Sequence, residues 1–319
     1  MKLKFFFNLI KEIIKIRFNM REIAFKVQKI DDNFVVLGNA YAYIYLIKVN
    51  NLNILIDTGT AFFGNKVKDY LKSESIEKID YLLLTHSHYD HIGGVPIILK
   101  NFKVEHIFAH SYFKNVFKSQ KAISVINNLN KIELSVLDPF LKYEFEPFEI
   151  TNEVKENDFL DFGKIKILFY ETPGHTRDSV SYYILPYKII IPGEAIGVPN
   201  KDDTYILPQF LSSFENYIES INKIKNLDIE IIGLPHEHLI FGKENVKNYI
   251  QLSLKTTYEY AKIIEDAIVE YKNFDKILDY LTEEIHQKKN IRQPIHAFRE
   301  NLKAQIIAIS RFKNLEIKF

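Results

Sequence analysis

The sequence predicts a mixed α/β protein, a β-rich layered domain to about residue 250 closed by a helical C-terminal extension. Three observations carry this. Short β-branched and aromatic runs separated by Gly-Asn and Asn-Asn turns open the domain; strands and helices then alternate; and from Lys243 onward the apolar spacing is helical throughout. At 319 residues, with 47% hydrophobic and 26% charged side chains, the chain can bury one large core and carry an appendage.

The first segment, residues 1–19, sets Lys2, Lys4, Lys11, Lys15 and Arg17 against the single acid Glu12, among Leu, Ile and Phe. Asn8 and Lys11 break its apolar run, so it is not a signal peptide, and it is too short and charged to span a bilayer, which takes about 20 apolar residues. It reads first as a packing helix or as an extension ahead of Met20 foreign to the natural protein. The second reading is a basic amphipathic helix contacting a membrane surface or a partner. Without a signal peptide the expected compartment is the cytoplasm. The expected organisation is an arm at 1–20, a catalytic domain at 21–250 and the helical extension at 251–319.

Phe34–Leu37, Ala42–Val49 and Asn53–Asp57 read as an antiparallel meander. After Asp57-Thr58-Gly59 come a helix near Asn65–Ser73, a strand at Ile79–Leu84, a helix at Gly94–Lys100, a strand near Val104–Ala109 and one longer helix between Ser111 and Asn130. The second half repeats the alternation. A hairpin turn at Asp161–Lys164 feeds a strand at Ile165–Glu171; strands at Ser179–Leu185 and Lys188–Ile191, a helix at Phe214–Lys225 and a strand at Ile229–Leu234 follow. Helices are expected at Lys243–Tyr271, Phe274–Lys288 and His296–Phe312.

Ten histidines and no cysteine bound the chemistry: any metal must be held by imidazole and carboxylate. The densest cluster is Thr85-His86-Ser87-His88-Tyr89-Asp90-His91, at the end of an apolar strand. Ligands on a helix face recur three or four apart, so this spacing belongs to an extended loop. There His86 and His88 point the same way, and Asp90 and His91, past the turn, can reach a second position. Such ligands suit zinc, iron or manganese. Further candidates follow later strands: Pro173-Gly174-His175, Pro192-Gly193-Glu194, and Pro235-His236-Glu237-His238. His106, His110, His286 and His296 lie away from these motifs and read as ordinary polar or packing residues.

His-x-His-x-Asp-His, then Pro-Gly-His, a Gly-acid pair after a strand and a final histidine resemble the metallo-β-lactamase fold superfamily of hydrolases, in the family's order over roughly residues 24–250. The resemblance implies a four-layer αββα sandwich of two mixed β-sheets with a two-metal site at one edge. Carried over, His86, His88 and His175 hold one ion, Asp90, His91 and His236 a second, and Glu194 bridges them. The family has aspartate at the bridging position. Glu194 is one methylene longer, which leaves the choice between one ion and two open. His236 is favoured over His238 by its closeness to the strand end, leaving His238 behind the ligands or facing solvent. Asp57 in its Asp-Thr-Gly turn resembles an outer carboxylate that orients the ligand loop.

The expected function is metal-dependent hydrolysis by a metal-bound hydroxide, with Asp90 moving the proton, on a small ester, thioester or lactone. Zinc is the expected ion. Two alternatives stand: an iron-containing redox or oxygen-reacting protein on the same fold, and a phosphodiesterase or nuclease. The near-neutral charge of +1 disfavours nucleic acid, although Lys114, Lys118 and Lys121 interleave with Tyr112, Phe113 and Phe117. In the glyoxalase II-like branch C-terminal helices contribute substrate contacts, a role open here to Tyr258, Tyr260, Arg292 or Arg299. Equally, Tyr249, Leu252, Leu254, Ile263 and Ile264 form apolar stripes suited to a homodimer.

Overall fold

The computed structural model describes residues 24–318, so the expectations for residues 1–19 lie outside the described residues. These described residues form a mixed α/β structure with two large mixed sheets and a helical C-terminal extension. They divide into two compact units, residues 24–166 with 235–238, and residues 167–234 with 239–318.

In the first unit β2 (Phe34–Asn39), β3 (Ala42–Val49) and β4 (Leu52–Ile56) form the expected meander, and a further strand, β1 (Lys26–Lys29), pairs antiparallel with β2. Asn50 and Asn51 make the two-residue turn between β3 and β4 at φ 51° and 62°. Asparagine tolerates this left-handed region, and such turns match the twist of the flanking strands, which brings Val49 opposite Leu52. The sheet then changes character. β5 (Lys78–Leu83), β6 (Lys103–His110) and β7 (Asn152–Val154) continue it in parallel, and parallel strands need crossovers. Helix α1 (Ala61–Ser73) supplies the first; α2 (Tyr89–Ile92) and α3 (Val95–Asn101) lie in the second. Gly64 of α1 meets Gly94 just ahead of α3 so closely that a Cβ on Gly64 would stand 2.3 Å from the Gly94 Cα.

The helix expected across Ser111–Asn130 is two helices, α4 (Phe113–Lys118) and α5 (Gln120–Leu137). Ser119 adopts an extended backbone and its hydroxyl accepts the Ala122 N–H, so a serine inside an apparently helical run acts as an N-cap. Phe113 is buried and Phe117 packs on Phe145 and Phe148, so these aromatics serve the core. A short strand, β8 (Phe159–Asp161), precedes the expected turn. Val35, Leu46, Leu55, Val67, Leu82 and Ile98 lie at the centre of this unit's core.

In the second unit the strands lie in the order β15-β14-β11-β10-β9. They are β9 (Lys166–Glu171, its first residue in the other unit), β10 (Val180–Leu185), β11 (Ile189–Ile191), β14 (Ile231–Gly233) and β15 (Leu239–Phe241). β11 and β14 are parallel, and α6 (Phe214–Lys225), capped by Ser213, connects them. A small ribbon of β12 (Val198–Pro199) and β13 (Ile206–Leu207) follows β11. The extension is α7 (Lys243–Tyr271), α8 (Phe274–Leu281), a π-helical turn at Thr282–Gln287 and α9 (Ile295–Lys313).

Of the apolar stripe, Tyr249 and Ile264 are buried in this unit's own core, and Leu252, Leu254 and Ile263 are partly buried against it. Tyr260 is fully buried and donates to Gln305, and Arg299 is held by Thr282 and Asp279. Among the described residues no helix is long and apolar enough to cross a membrane.

Candidate metal centre

The candidate ligands of the first unit hang on the end of β5. Asp57 directly follows β4, and its backbone N–H extends the ladder to Leu83 O before the chain turns at φ 58°. That turn aims the carboxylate at the ligand loop. Oδ1 accepts the Thr85 N–H at 2.8 Å, and Oδ2 accepts the Thr85 hydroxyl at 2.7 Å and the His91 Nδ1–H at 2.8 Å. Thr58 grips the same loop, its N–H and hydroxyl both donating to His91 O at 2.9 Å. Asp57 is thus tied by hydrogen bonds to Thr85 and to the candidate ligand His91.

The loop brings the rings together. His86 and His88 have ring centroids 4.7 Å apart, and His86 and His91 3.9 Å. Pro235–His238, a chain excursion between β14 and β15, is counted with this unit because it binds the β2–β3 turn. Pro235 O accepts the Tyr43 N–H, and the Glu237 N–H donates to Ala40 O, both at 2.8 Å. Glu237 sits at φ 68°, and this left-handed step separates the histidines on either side. His236, and not His238, joins Asp90 and His91, one donor atom from each lying within 4.8 Å of the others. The His236 Nε2 is 3.6 Å from Asp90 Oδ2, and its Nδ1–H donates to Tyr41 O at 2.7 Å.

In the second unit His175 follows β9 and Glu194 follows β11. Gly174, at φ 129°, lets the chain pass so close to α6 that an added Cβ would stand 2.4 Å from the Tyr217 Cα. His175 donates Nδ1–H to Gln209 O at 2.6 Å, and its Nε2 lies 2.6 Å from Glu194 Oε2. A carbonyl can only accept, so a neutral His175 turns a lone pair toward an acceptor carboxylate. A proton or a metal cation satisfies that contact.

These contacts test the donor set. His91, His175 and His236 each give Nδ1–H to a carboxylate or a carbonyl, which places the lone pair on Nε2. This is how metal-binding histidines are oriented, and the nitrogen and oxygen donors fit zinc, iron or manganese. The sequence signalled the candidate ligands but not the Tyr41 and Gln209 carbonyls that their Nδ1–H groups meet, because a backbone acceptor has no residue signature. Of the remaining histidines, His106 stacks on Tyr81, His110 accepts the Tyr112 N–H and His286 bonds Gln293 O, as their ordinary reading expects.

Sequence reasoning also missed Glu133 on α5. Burial is the main cause that raises its carboxyl to about 7; the Thr60 hydroxyl opposes the rise and the Asp90 charge adds to it. Its Oε2 has no hydrogen-bond partner among the described residues. Because the folded carboxyl binds its proton more tightly than the unfolded one, this contribution to stability is full below about pH 4.5. It is lost as pH rises toward 7. Glu133→Gln keeps the side chain neutral. In the metal-free chain it is expected to match wild type near pH 4 and to exceed it above pH 7 by on the order of 3 kcal/mol. Urea denaturation at the two pH values measures this, and equal stability at both refutes it.

A family model described as the metallo-beta-lactamase superfamily matches residues 37–236. The chain belongs to the metallo-beta-lactamase superfamily. By class it is a metal-dependent hydrolase. Among its relatives, a metallo-beta-lactamase fold-containing protein of Sulfurisphaera tokodaii is 25% identical over 205 residues, 63% of this chain and 75% of its own. The solved structure of the Sulfolobus tokodaii protein matches with a TM-score of 0.51 at 22% identity, covering 68% of this chain and 80% of that one. A hydroxyacylglutathione hydrolase of Buchnera aphidicola is 28% identical over 204 residues, 62% of this chain and 63% of its own. An anaerobic nitric oxide reductase flavorubredoxin of an Enterobacter species is 25% identical over 240 residues, 68% of this chain and 44% of its own.

Proposed function

We propose that this member of the superfamily hydrolyses a small ester, thioester or lactone with zinc. His86, His88 and His175 would hold one ion and Asp90, His91 and His236 a second, with Glu194 at the position that the family motif shares between them. The observation that carries the reading is the set of three imidazoles whose Nδ1–H groups are taken up by fixed oxygens, with Asp90 and Glu194 beside them. A bound ion would lower the pKa of a coordinated water to about 7 and polarise a carbonyl oxygen. Asp57 and the carbonyls of Tyr41 and Gln209 hold the imidazoles in place for that work. Asp90 has a side chain 22% exposed beside His236, so it stands where it can accept a proton and return it to a leaving group.

The hydroxyacylglutathione hydrolase among the relatives supports a thioester as the first substrate class to try. A second reading, an iron-containing redox protein, is favoured by the flavorubredoxins among the relatives. Against it, flavodiiron proteins usually carry glutamate where this chain has His88. Metal analysis of protein purified without added ions, followed by a panel of thioester, lactone and phosphodiester substrates, tests the proposal. Zinc with thioester or lactone turnover is expected, and turnover should disappear on chelation and return with zinc. A coloured, iron-loaded, oxygen-consuming protein supports the second reading instead, and a zinc-loaded protein inert across the panel overturns the hydrolytic one.

A further inference from the structure

The second unit contains a hydrogen-bonded line from the helical extension to the two candidate ligands on its strand ends. His175 Nδ1–H ends on Gln209 O. The segment carrying that carbonyl is held from α9, where the buried Gln305 donates Nε2–H to Pro208 O at 2.7 Å. Gln305 is itself fixed from α7, because the buried Tyr260 hydroxyl donates to its Oε1 at 2.7 Å. On the other side of Gln209, its N–H donates to the Tyr217 hydroxyl at 3.1 Å, and that hydroxyl donates to Glu194 O at 3.3 Å. Two more side chains of α7 secure the turn after Glu194: Ser253 donates to Ile196 O at 2.8 Å and Tyr249 to Gly197 O at 3.0 Å.

None of these groups is placed for ordinary solubility. Gln209, Gln305, Tyr217 and Tyr260 are all at most 3% exposed, and burial of a carboxamide costs stability unless both its ends are bonded. A core built only for packing would carry leucine at 305.

We propose that the helical extension positions the metal ligands His175 and Glu194, and that Gln305 is the positioning residue through which α7 and α9 hold the carbonyl that aims His175. The inference rests on the assignment of His175 and Glu194 as ligands under the proposed function. It gives the extension a task that needs no contact with substrate. Gln305 works by fixing where Gln209 O stands, and so where the Nε2 lone pair points.

Zinc titration of the full metal-free chain against a competing chelator reads this without reference to turnover. Gln305→Met fills the same space without a donor or an acceptor, and it is expected to weaken zinc binding about tenfold, the lower end of what outer residues of metal sites contribute. Tyr260→Phe, which keeps the ring and frees Gln305 to turn, should shift affinity in the same direction by less. Ile309→Val is the control, a core residue of the same helix with no part in the line. It should lower the melting temperature and leave zinc affinity as in wild type. A folded Gln305→Met with wild-type affinity overturns the inference, as does an Ile309→Val that weakens zinc equally. If Gln305→Met does not fold, Tyr260→Phe decides by the same criterion. A wild-type chain that binds zinc and hydrolyses nothing overturns the hydrolytic reading and leaves this one standing; one that binds no metal removes both.

Discussion

Asp57→Asn is expected to weaken metal binding roughly 10–100-fold while the chain stays folded. The reason lies in which bonds an amide can replace. Asparagine tolerates the φ of 58° found at this position, so the turn after β4 survives. Its oxygen can still accept from Thr85. Its NH2 cannot accept, however, and Oδ2 now serves both the Thr85 hydroxyl and the His91 Nδ1–H. The imidazole is then released or turned to its other tautomer. Asp57→Ala should be harsher, because it removes the carboxylate acceptor of three buried donors, the Thr85 N–H, the Thr85 hydroxyl and the His91 Nδ1–H; the last keeps only Thr85 Oγ1 at 3.1 Å, and each donor left unsatisfied costs about 1–3 kcal/mol. Thermal denaturation and zinc titration of the two variants separate these effects. An Asp57→Asn protein that binds zinc as wild type does would show that the carboxylate merely completes a turn.

Asp90→Ala is expected to lose at least about 100-fold in kcat, with losses to 10,000-fold within reach for a group that moves the reacting proton. Its fold should be intact. The carboxylate stands 22% exposed at the start of the short α2 and is not part of the core, so removing it creates no cavity. Circular dichroism and the melting temperature check the fold, and steady-state kinetics on the best substrate of the panel check the chemistry. Asp90→Asn adds resolution. If the residue only binds metal, excess zinc should restore much of the activity, whereas a proton-transfer role leaves kcat low at saturating zinc. A fully active Asp90→Ala variant would sink the assignment.

Much of the architecture is legible in the sequence because its signals are local. The β2 and β3 runs, the Asn50-Asn51 turn and the Ser213-capped α6 all follow from residue types whose preferences act over a few positions. Where the reading departs from the structure, a local signal was short or had a rival. Ser119 looked like one polar position in a long helix and is a cap between two. Strands of two to four residues, such as β1, β12, β13 and β15, are too short to show a period of two. The stripes of α7 were visible, but an apolar stripe does not say whether it meets its own chain or another.

The sequence by itself determined the chemistry available to this protein: nitrogen and oxygen ligands without thiolate, concentrated at Thr85–His91 and repeated after later strands. The order of those motifs was enough to point to the superfamily. The tertiary structure decided which candidates lie together and what they bond. His236, and not His238, lies beside Asp90 and His91, where the left-handed step at Glu237 and the bonds to Ala40 and Tyr43 present it. Its orienting partner, Tyr41 O, is 195 residues away in the chain. Glutamine at 305 reads in one dimension as a polar interruption of a helix, and it becomes informative only when its two ends are seen to bond Pro208 O and the Tyr260 hydroxyl. Ligand type is a property of side chains and is written residue by residue; ligand orientation depends on backbone carbonyls brought close by folding, and every residue type supplies the same carbonyl.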